Sequence, residues 1–440
     1  MTLKFGTDGV RGVALTELTP DYVAFLGRAA AHVLGGGTWA VGRDPRESGE
    51  VLADALARGL RAGGATVELT GVVPTPAMAV LGAERSIPTA MITASHNPYT
   101  DNGVKLFAAG GLKLRDDAEA RIEAEMERLL DGGVPAEHDD TPAVAIDVAA
   151  DYVDWVIGQF PAGCLAGLMV VLDCANGAMS EVAPIAAARL GAEVQVINAA
   201  PSGRNINDRC GATDTAELAA AVIDRGADLG LAFDGDGDRV IAIDHRGNRV
   251  DGDRLIALSA LQLKDHGLLD GDAVVVTVMS NLGFHRAMAA AGIEVVTTAV
   301  GDRYVLEALE ERGLAVGGEQ SGHIIFRKLA TTGDGLLAGL RLAQFVADHH
   351  RPLAEVAAEV MTTYPQVLIN VRVADRHPNV ADELADEIAA AEAELGDEGR
   401  VLIRASGTEP LIRVMVEADA AAIAERVANE LADVVRRRFG

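Results

Sequence analysis

Met91-Ile92-Thr93-Ala94-Ser95-His96-Asn97-Pro98 closes a mostly apolar run, residues 87–92, with an abrupt change to small and polar side chains. Such a break predicts a buried strand that delivers a loop to the C-terminal edge of a parallel sheet. Pro98 has no N–H and biases Asn97 toward an extended conformation, which stiffens the loop just after Ser95. A serine hydroxyl held there can act as a nucleophile or carry phosphate. Taken alone, the stretch reads first as a Ser/Asn turn without chemistry. Three further segments reverse that preference, because together they make sense only with phosphate at Ser95.

Working outward, the pattern upstream alternates helix and strand. Thr19, Pro20 and Asp21 open an apolar helix that stops at Gly35-Gly36-Gly37. Strands are expected at 39–41 and 66–69, helices over 48–62 and after Pro76, and the whole reads as a doubly wound α/β unit. Immediately downstream, Asn102-Gly103 suggests a hairpin turn that aims Lys105 back at the serine loop. At the start of the chain, Phe5-Gly6-Thr7-Asp8-Gly9-Val10-Arg11-Gly12 is polar and glycine-rich, which predicts a surface turn too flexible for a core strand. Arg11, between Gly9 and Gly12, can approach a ligand closely. An acidic helix is expected over 116–130, a linker over 131–141 and a helix over 144–159.

Two more α/β units follow. The second has strands at 168–172, 193–197 and 229–233; the third has strands at 273–277 and 294–298. Beyond Pro365 the pattern changes to a small α+β set of strands and helices. The expected fold is therefore α/β, with three related α/β units containing mixed sheets and a C-terminal α+β domain. The expected domains are 1–155, 156–252, 253–364 and 365–440.

Composition narrows the functional class. The 440 residues are 49% hydrophobic with a mean hydropathy of +0.18, yet no stretch approaches a membrane span. The first residues lack the apolar core of a signal peptide, so a cytoplasmic location is expected. Three cysteines without a C-x-x-C pair argue against a disulfide framework and a zinc site. A net charge of −27 disfavours nucleic acid and anionic membranes. An anionic substrate would then need a local concentration of Arg, Lys and metal.

The strongest chemical signal is Asp234-Gly235-Asp236-Gly237-Asp238-Arg239, which follows the apolar strand 229–233. Three carboxylates at alternate positions on a glycine-rich turn can converge on a hard divalent cation, and Mg²⁺ keeps positions for water and a phosphate oxygen. An EF-hand is excluded: its sixth position would be Arg239 and its twelfth His245, and a strand precedes the loop. Arg404-Ala405-Ser406-Gly407-Thr408-Glu409-Pro410, with Arg413, resembles a phosphate cradle of guanidinium, hydroxyl and backbone donors. The absence of a lysine-terminated P-loop argues against nucleotide. Glu319 and Ser321, set between glycines, suit sugar hydroxyls. Lys105 and His323 are acid/base candidates, although His323 also reads as a structural histidine at the start of a strand. Ser95 and His96 are adjacent, which predicts side chains that do not point the same way and no hydrolase-type pair.

These four segments, Thr93 to Pro98, Asp234 to Arg239, Gly318 to His323 and Arg404 to Pro410, resemble the signatures of the α-D-phosphohexomutase superfamily, in its order and over nearly the whole chain. The resemblance implies four domains around a central cleft. It implies a phosphoserine at Ser95, and Mg²⁺ held by Ser95, Asp234, Asp236 and Asp238. It implies a catalytic group of Ser95, Lys105, Arg11, His96 and Arg239. Substrate would be held by Glu319, Ser321, His323, Arg404, Ser406, Gly407, Thr408 and Arg413. The opening Phe5 to Gly12 and the glutamine Gln320 resemble the bacterial branch that acts on glucosamine phosphates. The expected reaction interconverts glucosamine 6-phosphate and glucosamine 1-phosphate, with glucosamine 1,6-bisphosphate or another phosphoryl source as activator. The expected partner is a small sugar phosphate, with no nucleic acid and no membrane, and the protein a monomer or homodimer. The alternatives are glucose or mannose phosphates on the same chemistry, or a non-catalytic sugar-phosphate binding protein.

Overall fold

The structure, a computed structural model, describes residues 3–6, 8–132, 143–406 and 410–440. Most of the expected linker 131–141 and residues 407–409 therefore lie outside the described residues. Among the described residues, no helix is long and apolar enough to cross a membrane. The chain forms two compact units: Met1–Met279 with Glu294–Ala358, and Ser280–Ile293 with Glu359–Gly440.

The first unit contains three mixed sheets that repeat one plan. In each, the first strand of the repeat is central: Thr38–Arg43, Met169–Asp173 or Ala273–Thr277. The second strand pairs parallel on one side: Thr66–Val72, Glu193–Ile197 or Glu294–Thr298. The third pairs parallel on the other: Thr89–Ile92, Leu229–Phe233 or Val316–Gly318. A fourth strand then runs antiparallel beside the third: Asp101–Ala108, Val240–Asp244 or Ile324–Phe326. Strands such as Leu229–Phe233 are buried along their whole length, which is why they read as continuous apolar runs. The connection from third to fourth strand carries residues 93–100, 234–239 and 319–323 in the three repeats. The three chemical loops thus occupy one topological position, repeated.

The helices follow their sequence signals. Helix Pro20–Leu34 starts where Thr19 Oγ accepts from Tyr22 N at 3.2 Å and ends at Gly35. It crosses helix Gly49–Ala62 at two glycines; a Cβ on Gly59 would lie 1.9 Å from the Ala24 carbonyl oxygen. No larger residue permits that approach.

Three local expectations are corrected. Asn102-Gly103 is not a hairpin turn but part of the continuous strand Asp101–Ala108. The turn comes earlier, where Asp101 N donates to Pro98 O at 3.1 Å. Gly103 serves close packing instead, since a Cβ there would sit 2.6 Å from Thr93 O and 2.8 Å from Val10 O. The opening segment does enter the sheet: Gly9–Val13 pairs with Asp101–Ala108, and Val10 is fully buried. Its glycines allow approach, as a Cβ on Gly9 would be 2.3 Å from Val104 O. Val144–Ala145 is an edge strand beside Thr66–Val72, and the helix begins only at Ala149.

The second unit has an antiparallel sheet in the order Gln366–Arg372, Leu411–Ala418, Gly399–Ala405. One face packs on helices Ala385–Leu395 and Ala421–Phe439 through residues such as Val371, Ile403, Val414 and Leu431. Helix Leu282–Ala290 lies between two strands of the third sheet in sequence but belongs to this unit. Buried Glu417 explains part of that: it accepts from Leu282 N at 3.0 Å and Asn281 Nδ2 at 3.2 Å.

Candidate active site

Ser95 sits at the end of a fully buried strand and is itself 1% exposed. Its backbone is in the left-handed region, φ 52°, a conformation that costs a non-glycine residue on the order of 1–3 kcal/mol unless the surroundings enforce it. They do so from several sides. Thr93 Oγ accepts from Ser95 N at 2.9 Å and donates to Asp44 Oδ2 at 2.6 Å. Asp44 pairs with buried Arg46, which donates to Ser95 O at 3.1 Å and Asn97 O at 2.6 Å. Asn207 Nδ2 donates to the same two carbonyls, at 2.9 and 3.1 Å. The positive φ also turns Ser95 and His96 toward one side. Their separation is 3.2 Å, Oγ to Nδ1, so the expectation that they point apart is corrected.

Ser95 Oγ donates to Asp234 Oδ2 at 2.6 Å. Asp234, Asp236 and Asp238 are buried, and one oxygen from each lies within 4.8 Å of the others. Gly237 N and Arg239 N donate to Asp234 Oδ1, which folds the loop around its first carboxylate. Thr75 Oγ1 donates to Asp236 Oδ2 at 2.6 Å. Asp236 Oδ1 and Asp238 Oδ1 are buried without a hydrogen-bond partner. Orphaned carboxylate oxygens at the centre of a buried acidic triad are the donor set a hard divalent cation requires, so these residues fit a Mg²⁺ ion. Burial, followed by Asp238 and Asp236, raises the Asp234 pKa well above the ordinary value. Burial would raise Asp238 too, but Lys105 and His323 hold it well below.

The cations arrive from three directions. Lys105, 3% exposed, places Nζ 2.7 Å from Asp8, 2.8 Å from Asp236 and 2.9 Å from Asp238. Burial would lower its pKa, yet those carboxylates raise it well above the ordinary value. With these partners Lys105 is an ammonium donor to Asp8, Asp236 and Asp238. Arg11 donates to Ala94 O at 3.3 Å and Asp8 Oδ2 at 2.7 Å. Arg239 donates to His96 Nδ1 at 3.2 Å. Since arginine only donates, Nδ1 accepts. Burial, Arg239 and Arg11 lower the His96 pKa to about 4, which keeps the ring neutral.

The 319–323 loop lies next to this group. Val240 N donates to Gly322 O, and Arg239 bridges to His323. Glu319 and Ser321 are half-buried, and Glu319 Oε1 accepts from Gly301 N at 3.1 Å. His323 is 1% exposed; its Nε2 accepts from Gly333 N at 3.0 Å and its Nδ1 lies 3.7 Å from Asp238 Oδ1.

In the second unit, Arg404 and Arg413 occupy directly opposite positions on paired strands. Ser406 is buried, its N–H donating to Leu411 O. Arg413 Nε is buried without a hydrogen-bond partner. Gly407 and Thr408 lie outside the described residues.

Sequence reasoning assigned no role to Asp8, Asp44, Arg46, Thr75 and Asn207. The signal for Asp44 and Arg46 was available: they follow the first strand's end as Ser95 follows the third's, on the same sheet edge.

Models of the phosphoglucomutase/phosphomannomutase α/β/α domains I, II and III match residues 2–131, 150–247 and 251–364, and that of the C-terminal domain matches 368–434. A phosphoglucomutase/phosphomannomutase family protein from Burkholderia thailandensis has a similar structure, with TM-score 0.81, 26% identity and coverage of 98% of this chain and 97% of that one. Aspergillus fumigatus N-acetylphosphoglucosamine mutase, solved in complex with GlcNAc-6P and magnesium, shares the fold at TM-score 0.72 and 19% identity, over 100% of this chain and 96% of its own. This is the fold of the α-D-phosphohexomutases. Salinispora tropica phosphoglucosamine mutase is 51% identical over 98% of both chains. The chain belongs to the phosphoglucosamine mutase family of that superfamily and is an isomerase of this kind.

Proposed function

We propose that the chain interconverts glucosamine 6-phosphate and glucosamine 1-phosphate, with Ser95 as the phosphoryl carrier. The observation that carries the reading is the buried Ser95 hydroxyl, 2.6 Å from Asp234 and inside a cation-fitting triad. In the first half-reaction the free sugar hydroxyl attacks phosphoserine 95 and gives up its proton, which ends on the departing Ser95 oxygen. The P–O bond to Ser95 breaks, a P–O bond to the sugar forms, and glucosamine 1,6-bisphosphate results. In the second, Ser95 attacks the other phosphate, whose bond to the sugar breaks. The Ser95 proton has two acceptors within reach, Asp234 Oδ2 at 2.6 Å and His96 Nδ1 at 3.2 Å.

Negative charge on the group in transfer is met by Lys105, Arg11 and Arg239, all fixed before substrate binds. Asp234, Asp236 and Asp238, with the oxygen on Ser95, would hold Mg²⁺, which supplies Lewis-acid neutralisation of phosphoryl charge. Glu319 and Ser321 would read the sugar hydroxyls. Arg404, Arg413, Ser406 and the following Gly407 and Thr408 would grip the phosphate not in transfer. Added bisphosphate would prime Ser95 in unphosphorylated enzyme.

A side-by-side assay of glucosamine, glucose and mannose 6-phosphates on phosphorylated enzyme tests this. Preference for glucosamine 6-phosphate is expected, and a clear preference for either neutral sugar overturns the assignment.

A further inference from the structure

A second set of charges lies beneath the loops. Asp302, the first residue of helix Asp302–Arg312, is ion-paired with Lys113, and its Oδ2 lies 3.5 Å from His323 Nε2. Lys113 Nζ also reaches Asp8 Oδ1 at 2.8 Å, and Asp8 Oδ2 reaches Lys105 Nζ at 2.7 Å. Lys105 reaches Asp238 Oδ2 at 2.9 Å, and Asp238 Oδ1 returns to His323 Nδ1 at 3.7 Å. In space the path returns to its start through His323, whose Nε2 accepts from Gly333 N and so lies beside Asp302 without a hydrogen bond to it: Asp302, Lys113, Asp8, Lys105, Asp238, His323. Carboxylates and nitrogen groups alternate around it, and no side chain in it is more than 17% exposed.

Two further observations give the ring a role. A cavity of about 20 Å³, lined in part by Asp8, Lys105 and Lys113, adjoins it. That is room for one water, so packing alone does not pin the two lysines and their ion pairs must. The residues on either side of Asp302 point elsewhere. Gly301 N holds Glu319 Oε1 at 3.1 Å, while Arg303 pairs with Asp116 and Glu119 and donates to Gly6 O at 3.3 Å. Three consecutive residues therefore tie the sugar loop, the ring and the edge of the first sheet together.

We propose that Asp302, acting with Lys113, is a positioning residue of the phosphoryl-transfer site. Lys113 holds one oxygen of Asp8, which leaves the other for Lys105; Lys105 in turn sets the lie of Asp238. Opening the ring at Asp302 frees Lys113 and lets Asp8 turn, so Lys105 loses its fixed distance from Ser95. Gly301 links this setting to Glu319, so sugar recognition and transfer geometry share one anchor. The proposal rests on the reading of Ser95 as phosphoryl carrier.

The test uses full-length phosphorylated enzyme with Asp302→Asn, Lys113→Met, both together, and Asp302→Glu. The measurements are kcat and KM on glucosamine 6-phosphate, melting temperature, and Mg²⁺ affinity of the unphosphorylated protein by calorimetry. Asp302→Asn should lower kcat about tenfold or more, as displacement of a catalytic group by an ångström does, with KM within about threefold. Asp302→Glu should recover part of kcat. The double variant should be no worse than the worse single, since both act through one link, and Mg²⁺ should bind more weakly to it than to wild type. Wild-type kcat in both singles overturns the proposal, as does a double-variant loss equal to the product of the singles. If Asp302→Asn does not fold, the double variant, which leaves no lone buried charge, decides on its kcat and Mg²⁺ affinity. Wild-type enzyme without turnover on any hexose 6-phosphate would refute the functional reading instead, and the Mg²⁺ comparison would still report on the ring.

Discussion

Lys105 touches three carboxylates within 2.9 Å, whereas Arg404 and Arg413 face each other across two strands of the C-terminal sheet. In the first arrangement the lysine is fully paired before any ligand arrives. The second sets like charges opposite one another, which destabilises a strand pair, and leaves Arg413 Nε buried without an acceptor. The contrast matches two different demands on phosphate. A group in transfer needs cations whose positions do not depend on the ligand. A phosphate that is only held needs donors that converge on it, which two arginines side by side supply.

The largest expected effect lies in the satisfied region. Ser95→Ala should bring mutase activity to background with the fold intact, because a methyl group accepts no phosphoryl. A coupled assay without added bisphosphate, with intact mass for the phosphate, checks it. Full turnover by the alanine variant would show that another residue is the carrier. Asp236→Asn comes next. It weakens an oxygen set that faces both Lys105 and the orphaned positions, and should slow transfer by orders of magnitude and weaken Mg²⁺ binding. Unchanged Mg²⁺ dependence would reduce the triad to an acidic turn.

The same contrast explains what the sequence revealed. Loops that do chemistry on adjacent residues were legible: Asp234, Asp236 and Asp238 announce themselves by alternation, and Ser95 by its strand-to-loop break. The three repeats were legible as alternating helices and strands, because buried parallel strands leave apolar runs. What depends on long-range pairing was not. Asn102-Gly103 has turn chemistry, yet Asn102 Nδ2 bonds Ser48 Oγ and Gly103 lets neighbouring strands approach. The setting of Lys105 could not be read locally, because its three carboxylate partners come from residues 8, 236 and 238. The Ser95–His96 approach depends on one positive φ, which glycine-free sequence does not advertise.

Arg404→Ala should act on the other side of the comparison. It removes a charge-assisted contact worth roughly 1.5–3 kcal/mol, so sugar-phosphate affinity should fall about tenfold or more. Release of bisphosphate into solution should rise, while Ser95 phosphorylation and Mg²⁺ affinity stay at wild-type levels. Substrate titration with a bisphosphate-release assay measures both. Wild-type affinity together with wild-type retention would make the Arg404 loop a plain connection between strands.

The smallest expected effect is on stability, and it pits one histidine of each region against the other. His96 has a pKa lowered from 6.5 to about 4 by burial, Arg239 and Arg11. His285, in the C-terminal unit, is lowered by burial and Arg400. A depressed folded-state pKa means that the unfolded chain takes up a proton the folded one refuses. The stability that depends on neutral His96 is therefore complete above pH 6.5 and is lost as pH falls toward 4, by about 2–3 kcal/mol. Glutamine keeps an acceptor but does not titrate. Denaturant melts of unphosphorylated His96→Gln should show a shallower loss over that window than wild type, and subtraction cancels the carboxylates common to both. Phosphorylation then separates the regions. A phosphate on Ser95 Oγ, the atom now 3.2 Å from His96 Nδ1, favours the protonated ring and raises its pKa. The difference between wild type and His96→Gln should shrink in the phosphorylated enzyme. The corresponding difference for His285→Gln should stay the same with and without phosphate. An equal response at both histidines would mean that phosphorylation acts on stability through the whole chain, and the local account of the serine loop would fail.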